Sequence, residues 1–240
     1  MGGGGHMGCS SAPPSGVVPT IAAFGETSRV AVFYISDSGL TLSLLSPFNR
    51  AVGGLLRTLH ARVITPARLT YRKKVFGTLY ALDIVGRLPM EEIPDALRWF
   101  GATIGDRPFI KPGIRFENVP DDLSQLTIGD NVHLGSEVFI DLTGPVTIGD
   151  DVALAARVCI VTHLSAGDRP LSAVYESEVK GVKIDDGALI GTAAVILHGV
   201  TIEERVVIAA QSLVTRDVPA GVVAGGVPAR PLRMLAEVPA

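Results

Sequence analysis

Residues 182–218 read VKIDDG ALIGTA AVILHG VTIEER VVIAAQ SLVTRD V, a run that divides into units of six. Val182, Ala188, Ala194, Val200, Val206 and Ser212 open the units with small or aliphatic side chains, and Ile184, Ile190, Ile196, Ile202, Ile208 and Val214 follow two residues later. Side chains alternate along a strand, so the first and third residues of each unit face one side. The remaining positions, such as Asp-Asp-Gly and Gly-Thr, are turn residues. Three short strands and three turns then close one triangular coil, and coils stacked at about 4.8 Å satisfy one another's backbone groups. The period therefore predicts a mainly β fold, a parallel β-helix of the left-handed, hexad kind.

The same rhythm extends upstream. Leu126, Val132, Val138, Val146, Val152 and Val158 are partnered by Ile128, Leu134, Ile140, Ile148, Leu154 and Ile160, with a two-residue slip at Thr143-Gly144. A weaker echo runs through Ala102-Thr-Ile104, Pro108-Phe-Ile110 and Ile114-Arg-Phe116. Residues 117–125 and, more extensively, 162–181 break the rhythm. A loop thrown out of a regular solenoid carries function or an oligomer contact.

Composition agrees with this reading. The 240 residues are 47% hydrophobic but only 5% aromatic, as a column of stacked Ile, Val and Leu requires, and Gly and Pro number 27 and 16. A net charge of −3 provides no global field for nucleic acid. Two cysteines, Cys9 and Cys159, build no disulfide framework, and no Cys/His spacing suggests zinc. No uncharged run is long enough to span a membrane, and no secretory signal is evident, so a soluble cytoplasmic protein is expected. Residues 1–20 read as an expression remnant followed by a flexible leader. Residues 21–100 are expected to be mainly helical, with a strand near 28–35 and Leu55, Leu56, Leu59 and Val63 at helical spacing. The solenoid is expected over 101–220, and a tail over 221–240. Between Arg50 and Arg115 twelve Arg/Lys face five Asp/Glu. Helix packing on the solenoid is the simpler account of the apolar face there, and an anionic surface the alternative.

The hexads, Val161-Thr162-His163 at the root of the large loop, and the tail Gly226-Val227-Pro228-Ala229-Arg230 together resemble the hexapeptide-repeat acyltransferases. The nearest branch is that of the galactoside, maltose and nodulation-type O-acetyltransferases and their exopolysaccharide relatives. The resemblance covers residues 101–235. It implies an acetyl-CoA donor lying along the solenoid, a homotrimer with sites between subunits, and His163 as catalytic base. Elementary chemistry concurs for His163, because acyl transfer to a hydroxyl needs a base that is neutral near pH 7, and a thioester needs no protein nucleophile. Satisfying the loop is the alternative role for this side chain.

By the same resemblance Thr192 and Ala210 contact the pantetheine arm, and Thr215, Arg216, Arg230 and Arg233 meet the CoA phosphates, for which guanidinium is well suited. In place of the Asn that the galactoside-type enzymes carry one coil earlier stands Ser136, with Asp141 nearby. Asp141 either orients His163 or meets an acceptor hydroxyl. His198 sits in a turn where the family has Pro and is a candidate for the acceptor cleft. His133 reads as a surface residue and His60 as structural. With no close pair among His133, His163 and His198, no metal is expected. Three functions are weighed: O-acetylation of a sugar, glycan or hydroxylated natural product; N-acetylation of an amino sugar or other amine; and a non-catalytic scaffold.

Overall fold

The computed structural model describes residues 65–236 in full, together with the backbone of strands β1 (Val18–Ala22), β2 (Ala31–Ser36) and β3 (Gly39–Leu42). Contacts divide the chain into two compact units, Met1–His60 and Ala61–Ala240. In the first, β1, β2 and β3 form an antiparallel sheet in that order, with Val18 opposite Ile35 and Phe33 opposite Leu42. The stretch 31–36 (AVFYIS) is rich in β-branched and aromatic residues, which favour a pleated strand. Strand β2 falls where a strand near 28–35 is expected, within the interval otherwise expected to be mainly helical. The helical spacing of Leu55, Leu56, Leu59 and Val63 lies outside the described residues, as do His60 and Cys9.

The second unit opens with helices α1 (Thr65–Phe76), α2 (Thr78–Val85) and α3 (Ile93–Trp99), followed by a solenoid of about six turns. These helices belong to the same compact unit as the coils. Leu82, Val85, Ile93, Leu97 and Phe100 join Ile104, Ile110 and Ile114 in one continuous core. Backbone bonds from Gly113 N to Gly86 O (2.7 Å) and from Leu123 N to Phe100 O (2.8 Å) tie helices to coils.

Three parallel faces build the solenoid. The first carries residues 103–104, 126–128, 146–148, 182–184 and 201–202; the second runs from 109–110 through 133–134, 153–154, 189–190 and 207–208 to the tail; the third carries 115–117, 139–141, 159–160, 195–196 and 213–214. Equivalent hexad positions stack, as in Val146 beside both Leu126 and Val182. Every residue named above as opening or closing a unit between Leu126 and Val214 is buried. Burying an aliphatic side chain of this kind is worth about 1.5–3 kcal/mol, so the column supplies most of the drive to fold.

Outward positions differ between faces. The first shows Thr103, Thr127, Thr147, Lys183 and Thr201, a polar stripe. The other two show Phe109, His133, Ala153, Leu189 and Val207, and Arg115, Phe139, Cys159, Val195 and Leu213, apolar in the main.

One corner of the triangle is locked by an aspartate ladder. The Asp130, Asp150 and Asp186 carboxylates accept from the N–H of Asp106 (2.7 Å), Asp130 (2.7 Å) and Asp150 (2.8 Å), each one coil away. At Gly149 a Cβ would overlap the Asp186 carboxylate and lie 3.0 Å from its backbone N, so the ladder requires a residue without a side chain there. The last coil passes into a hairpin, in which strand 222–226 pairs antiparallel with 229–234 and brings Gly225 opposite Arg230.

Candidate active site

The hexad rhythm slips where Val138 is followed after eight residues, not six, by Val146. The extra length, Asp141-Leu142-Thr143-Gly144-Pro145, folds against the root of the large loop. His163 stands at that root, in a short strand (163–164) paired antiparallel with 178–179 so that Val179 lies opposite it. The slip and the loop together bring Asp141 and His163 face to face, with Nδ1 of His163 2.8 Å from Oδ2 of Asp141.

Asp141 is almost fully buried, its side chain 2% exposed against 31% for His163. Oδ2 also accepts from the Thr162 N–H (2.8 Å) and hydroxyl (2.6 Å). Oδ1 accepts from Asn118 Nδ2 (2.8 Å) and from the Thr143 hydroxyl (2.9 Å). Burial by itself would raise the Asp141 pKa, but the bonds from His163, Thr162 and Asn118 outweigh it and hold the carboxyl well below the usual carboxylate range. An ionised carboxylate under Nδ1 keeps the proton on that nitrogen and leaves Nε2 as the acceptor. Nε2 makes no hydrogen bond among the described residues and is the edge of the ring left for chemistry. Of the two roles weighed for Asp141, orientation is the one its surroundings support, since no face of the carboxylate is open to an acceptor hydroxyl.

Asn118, Thr143 and Thr162 escape a residue-by-residue reading of the sequence, yet the signal was present. Each lies at or beside a break in the rhythm: the 117–125 insertion, the slip, and the start of the large loop. Ser136 falls elsewhere, at the corner between the second and third faces, where its carbonyl accepts from the Arg157 N–H (2.9 Å); none of its hydrogen bonds reaches His163. His198 lies in the coil after His163, beside the returning end of the loop. Its Nδ1 is buried without a hydrogen bond, 3.9 Å from Glu178 Oε2. His133 stacks on Phe109 on the outer second face, ring centroids 4.8 Å apart. Burial, then the Asp141 and Glu117 charges, push the Cys159 thiol up, so it stays protonated.

The remaining candidates lie in the last two coils and the tail hairpin. Thr192 and Ala210 occupy equivalent places in successive coils, and Gln211 N–H donates to the Thr192 carbonyl (2.8 Å). Gly191 and Gly225 keep this corner flat, because a Cβ at either would run into Ala209 or Ala210. Arg216, Arg230 and Arg233 are exposed, and none has a carboxylate partner among the described residues. Arg230 bonds only the neighbouring Ala229 carbonyl (2.8 Å). Small residues beside uncompensated guanidiniums suit an extended polyphosphate ligand. No group of three His, Cys, Asp or Glu suited to a metal occurs among the described residues.

Comparison with known proteins agrees with this architecture. Residues 181–216 match the family model described as bacterial transferase hexapeptide (six repeats), and 125–160 that described as hexapeptide repeat of succinyl-transferase. Galactoside O-acetyltransferase of Escherichia coli K12 is 32% identical over 138 residues, which are 55% of this chain and 63% of that protein. The crystal structure of a maltose O-acetyltransferase from Clostridium difficile 630 superposes with a TM-score of 0.58 at 28% identity, covering 73% of this chain and 90% of the other. A galactoside acetyltransferase in complex with coenzyme A superposes with a TM-score of 0.53 at 25% identity, covering 72% and 82%. The chain thus carries hexapeptide repeats matched by two family models, shares its fold with solved acetyltransferases, and spans 63% of the length of the galactoside O-acetyltransferase it matches.

Proposed function

We propose that this protein is a CoA-dependent O-acyltransferase, moving acetyl from acetyl-CoA to a hydroxyl of a sugar, glycan or hydroxylated natural product. The dyad of His163 and Asp141 carries the reading: a buried, ionised carboxylate 2.8 Å from Nδ1 leaves Nε2 poised as a base at the mouth of a loop. Nε2 takes the acceptor's hydroxyl proton as that oxygen attacks the thioester carbonyl. The tetrahedral intermediate collapses with cleavage of the C–S bond, and the imidazolium returns the proton to the departing thiolate. Asp141 stabilises the imidazolium in between and touches neither substrate. Thr192 and Ala210 would flank the pantetheine arm, and Thr215, Arg216, Arg230 and Arg233 the phosphates. CoA bound to a galactoside acetyltransferase of similar fold supports this assignment.

The aliphatic outer surfaces of the second and third faces, set against the threonine stripe of the first, support a homotrimer in which those surfaces meet neighbouring subunits. A cytoplasmic setting, where acetyl-CoA is at hand, fits this chemistry.

Thiol release from acetyl-CoA on a panel of alcohols and amines tests the proposal. The expected result is turnover on an alcohol, reduced on the order of 10²–10⁴-fold by His163→Ala with CoA affinity retained. Turnover confined to amines would make the enzyme an N-acetyltransferase. Failure to bind either acetyl-CoA or CoA would leave a scaffold.

A further inference from the structure

The junction of α1 and α2 exposes a run of large apolar side chains. Beyond Leu69 no residue of α1 is buried, although Tyr71, Val75 and Phe76 follow, and α2 begins with exposed Leu79 and Tyr80. Tyr71, Phe76 and Tyr80 are 63%, 56% and 57% exposed. They form an ordered patch: the Phe76 and Tyr80 rings lie 5.2 Å apart, and the Arg72 guanidinium sits 5.9 Å from the Tyr80 ring. Arg68 and Lys74 are exposed on the same short helix. Lys73 leans inward, 5.9 Å from the Phe100 ring.

Charge identifies what such a patch would meet. From Thr65 to Leu82 the two helices contain no Asp or Glu and four Lys/Arg, although the protein as a whole carries −3. A second copy presenting the same patch would set cations against cations. A soluble polyanion would satisfy the cations but leave the aromatic and aliphatic side chains in water. An anionic bilayer surface satisfies both, taking Tyr and Phe rings at the headgroup boundary and Lys/Arg against lipid phosphates.

We infer that the α1–α2 junction, with Tyr71, Val75, Phe76, Leu79 and Tyr80 among Arg68, Arg72 and Lys74, is a peripheral docking site for an anionic membrane surface. Binding there lies on the membrane and not through it, since no helix among the described residues is long and apolar enough to cross. The site is built from helices outside the His163 centre, so it stands or falls independently of the acyltransfer reading.

Co-sedimentation of the full chain with sucrose-loaded vesicles tests it, using one third phosphatidylglycerol in phosphatidylcholine against phosphatidylcholine alone. The chain should pellet with the anionic vesicles only and be released as salt rises from about 0.1 M to about 1 M, where screening shortens to roughly 3 Å. Arg68→Gln with Lys74→Gln should weaken partitioning about 25-fold, near fivefold per charge. Phe76→Ser should weaken it on the order of tenfold through lost apolar burial. Both variants should melt like the wild type and keep its thiol-release rate without vesicles; if either misfolds, lipid composition and salt decide with the wild type alone. Equal binding to both vesicles, or to neither, overturns the inference. Capture by soluble polyphosphate at equal affinity, indifferent to Phe76→Ser, overturns it in favour of a polyanionic polymer.

Discussion

Replacing Asp141 by Asn removes one charge from the buried centre and leaves its shape. The Thr162 N–H and the His163 Nδ1–H both point at Oδ2, 2.8 Å away, so the amide carbonyl belongs there. The new NH2 then faces the Oδ1 side, where Asn118 can turn its own carbonyl inward and the Thr143 hydroxyl can rotate to accept. Geometry and tautomer survive; the counter-ion beneath the developing imidazolium does not. Two unit charges about 4 Å apart interact by about 4 kcal/mol at an effective dielectric of 20. Losing about 2–4 kcal/mol of that from the transition state lowers kcat by about 30- to 1000-fold. The KM for acetyl-CoA should not move, because the side-chain partners of Asp141 are Asn118, Thr143, Thr162 and His163 and include none of the phosphate-binding candidates. Steady-state thiol release gives both constants. A kcat within about threefold of wild type, or a raised donor KM with unchanged kcat, would refute the assignment of Asp141 as the group that holds and charges against His163.

The same variant makes a stability prediction with a defined sign. Asp141 has a folded-state pKa below its ordinary 3.8, so the unfolded chain binds the proton more readily. The carboxylate's contribution is therefore present above about pH 5 and is lost as pH falls through 3.8 toward the folded value. At pH 7 Asp141→Asn should destabilise by about 1–3 kcal/mol, the range for hydrogen bonds to a charged group. The gap in Tm between the two proteins should narrow as melting is repeated from pH 6 down to pH 3. A constant gap would mean that the carboxylate's charge contributes nothing to folding.

Of three further predictions, the first two are independent of Asp141. Gly149→Ala should cost about 1–3 kcal/mol by forcing a methyl into the Asp186 carboxylate and backbone; an unchanged denaturation midpoint would show that the ladder yields freely. Arg230→Ala should raise the acetyl-CoA KM on the order of tenfold through loss of a charge-assisted phosphate contact, and an unaltered KM removes Arg230 from the donor site. Thr143→Val removes a hydroxyl donor to Asp141 and should cost about 0.5–1.5 kcal/mol in chemical denaturation; a neutral effect would mean that the other donors suffice.

The solenoid was legible in the sequence because its determinants are local. Each hexad specifies its own strand and turn, and the next coil repeats the instruction, so Val182 through Val214 could be sorted into inward and outward residues without knowing their neighbours. His163 was legible too, since a lone His after a broken rhythm stands out against aliphatic coils. Its partner was not assigned one role, and Asn118, Thr143 and Thr162 were given none, because what unites them is stacking: Asp141 is 22 residues from His163 in the chain but one coil away in space. A two-residue slip is only an interruption of the period along the sequence, whereas in three dimensions it tucks a carboxylate beneath the ring. Within 21–100 the strand near 28–35 was legible from its β-branched and aromatic run, but that α1, α2 and α3 share one core with the coils was not, because a one-dimensional pattern does not name the partner an apolar face packs against. Sequence alone determined the repeat and the coil and singled out His163 as the candidate base; only the tertiary structure decided which buried charge lies beneath its ring, because a hydrogen bond between coils is a property of register and not of period.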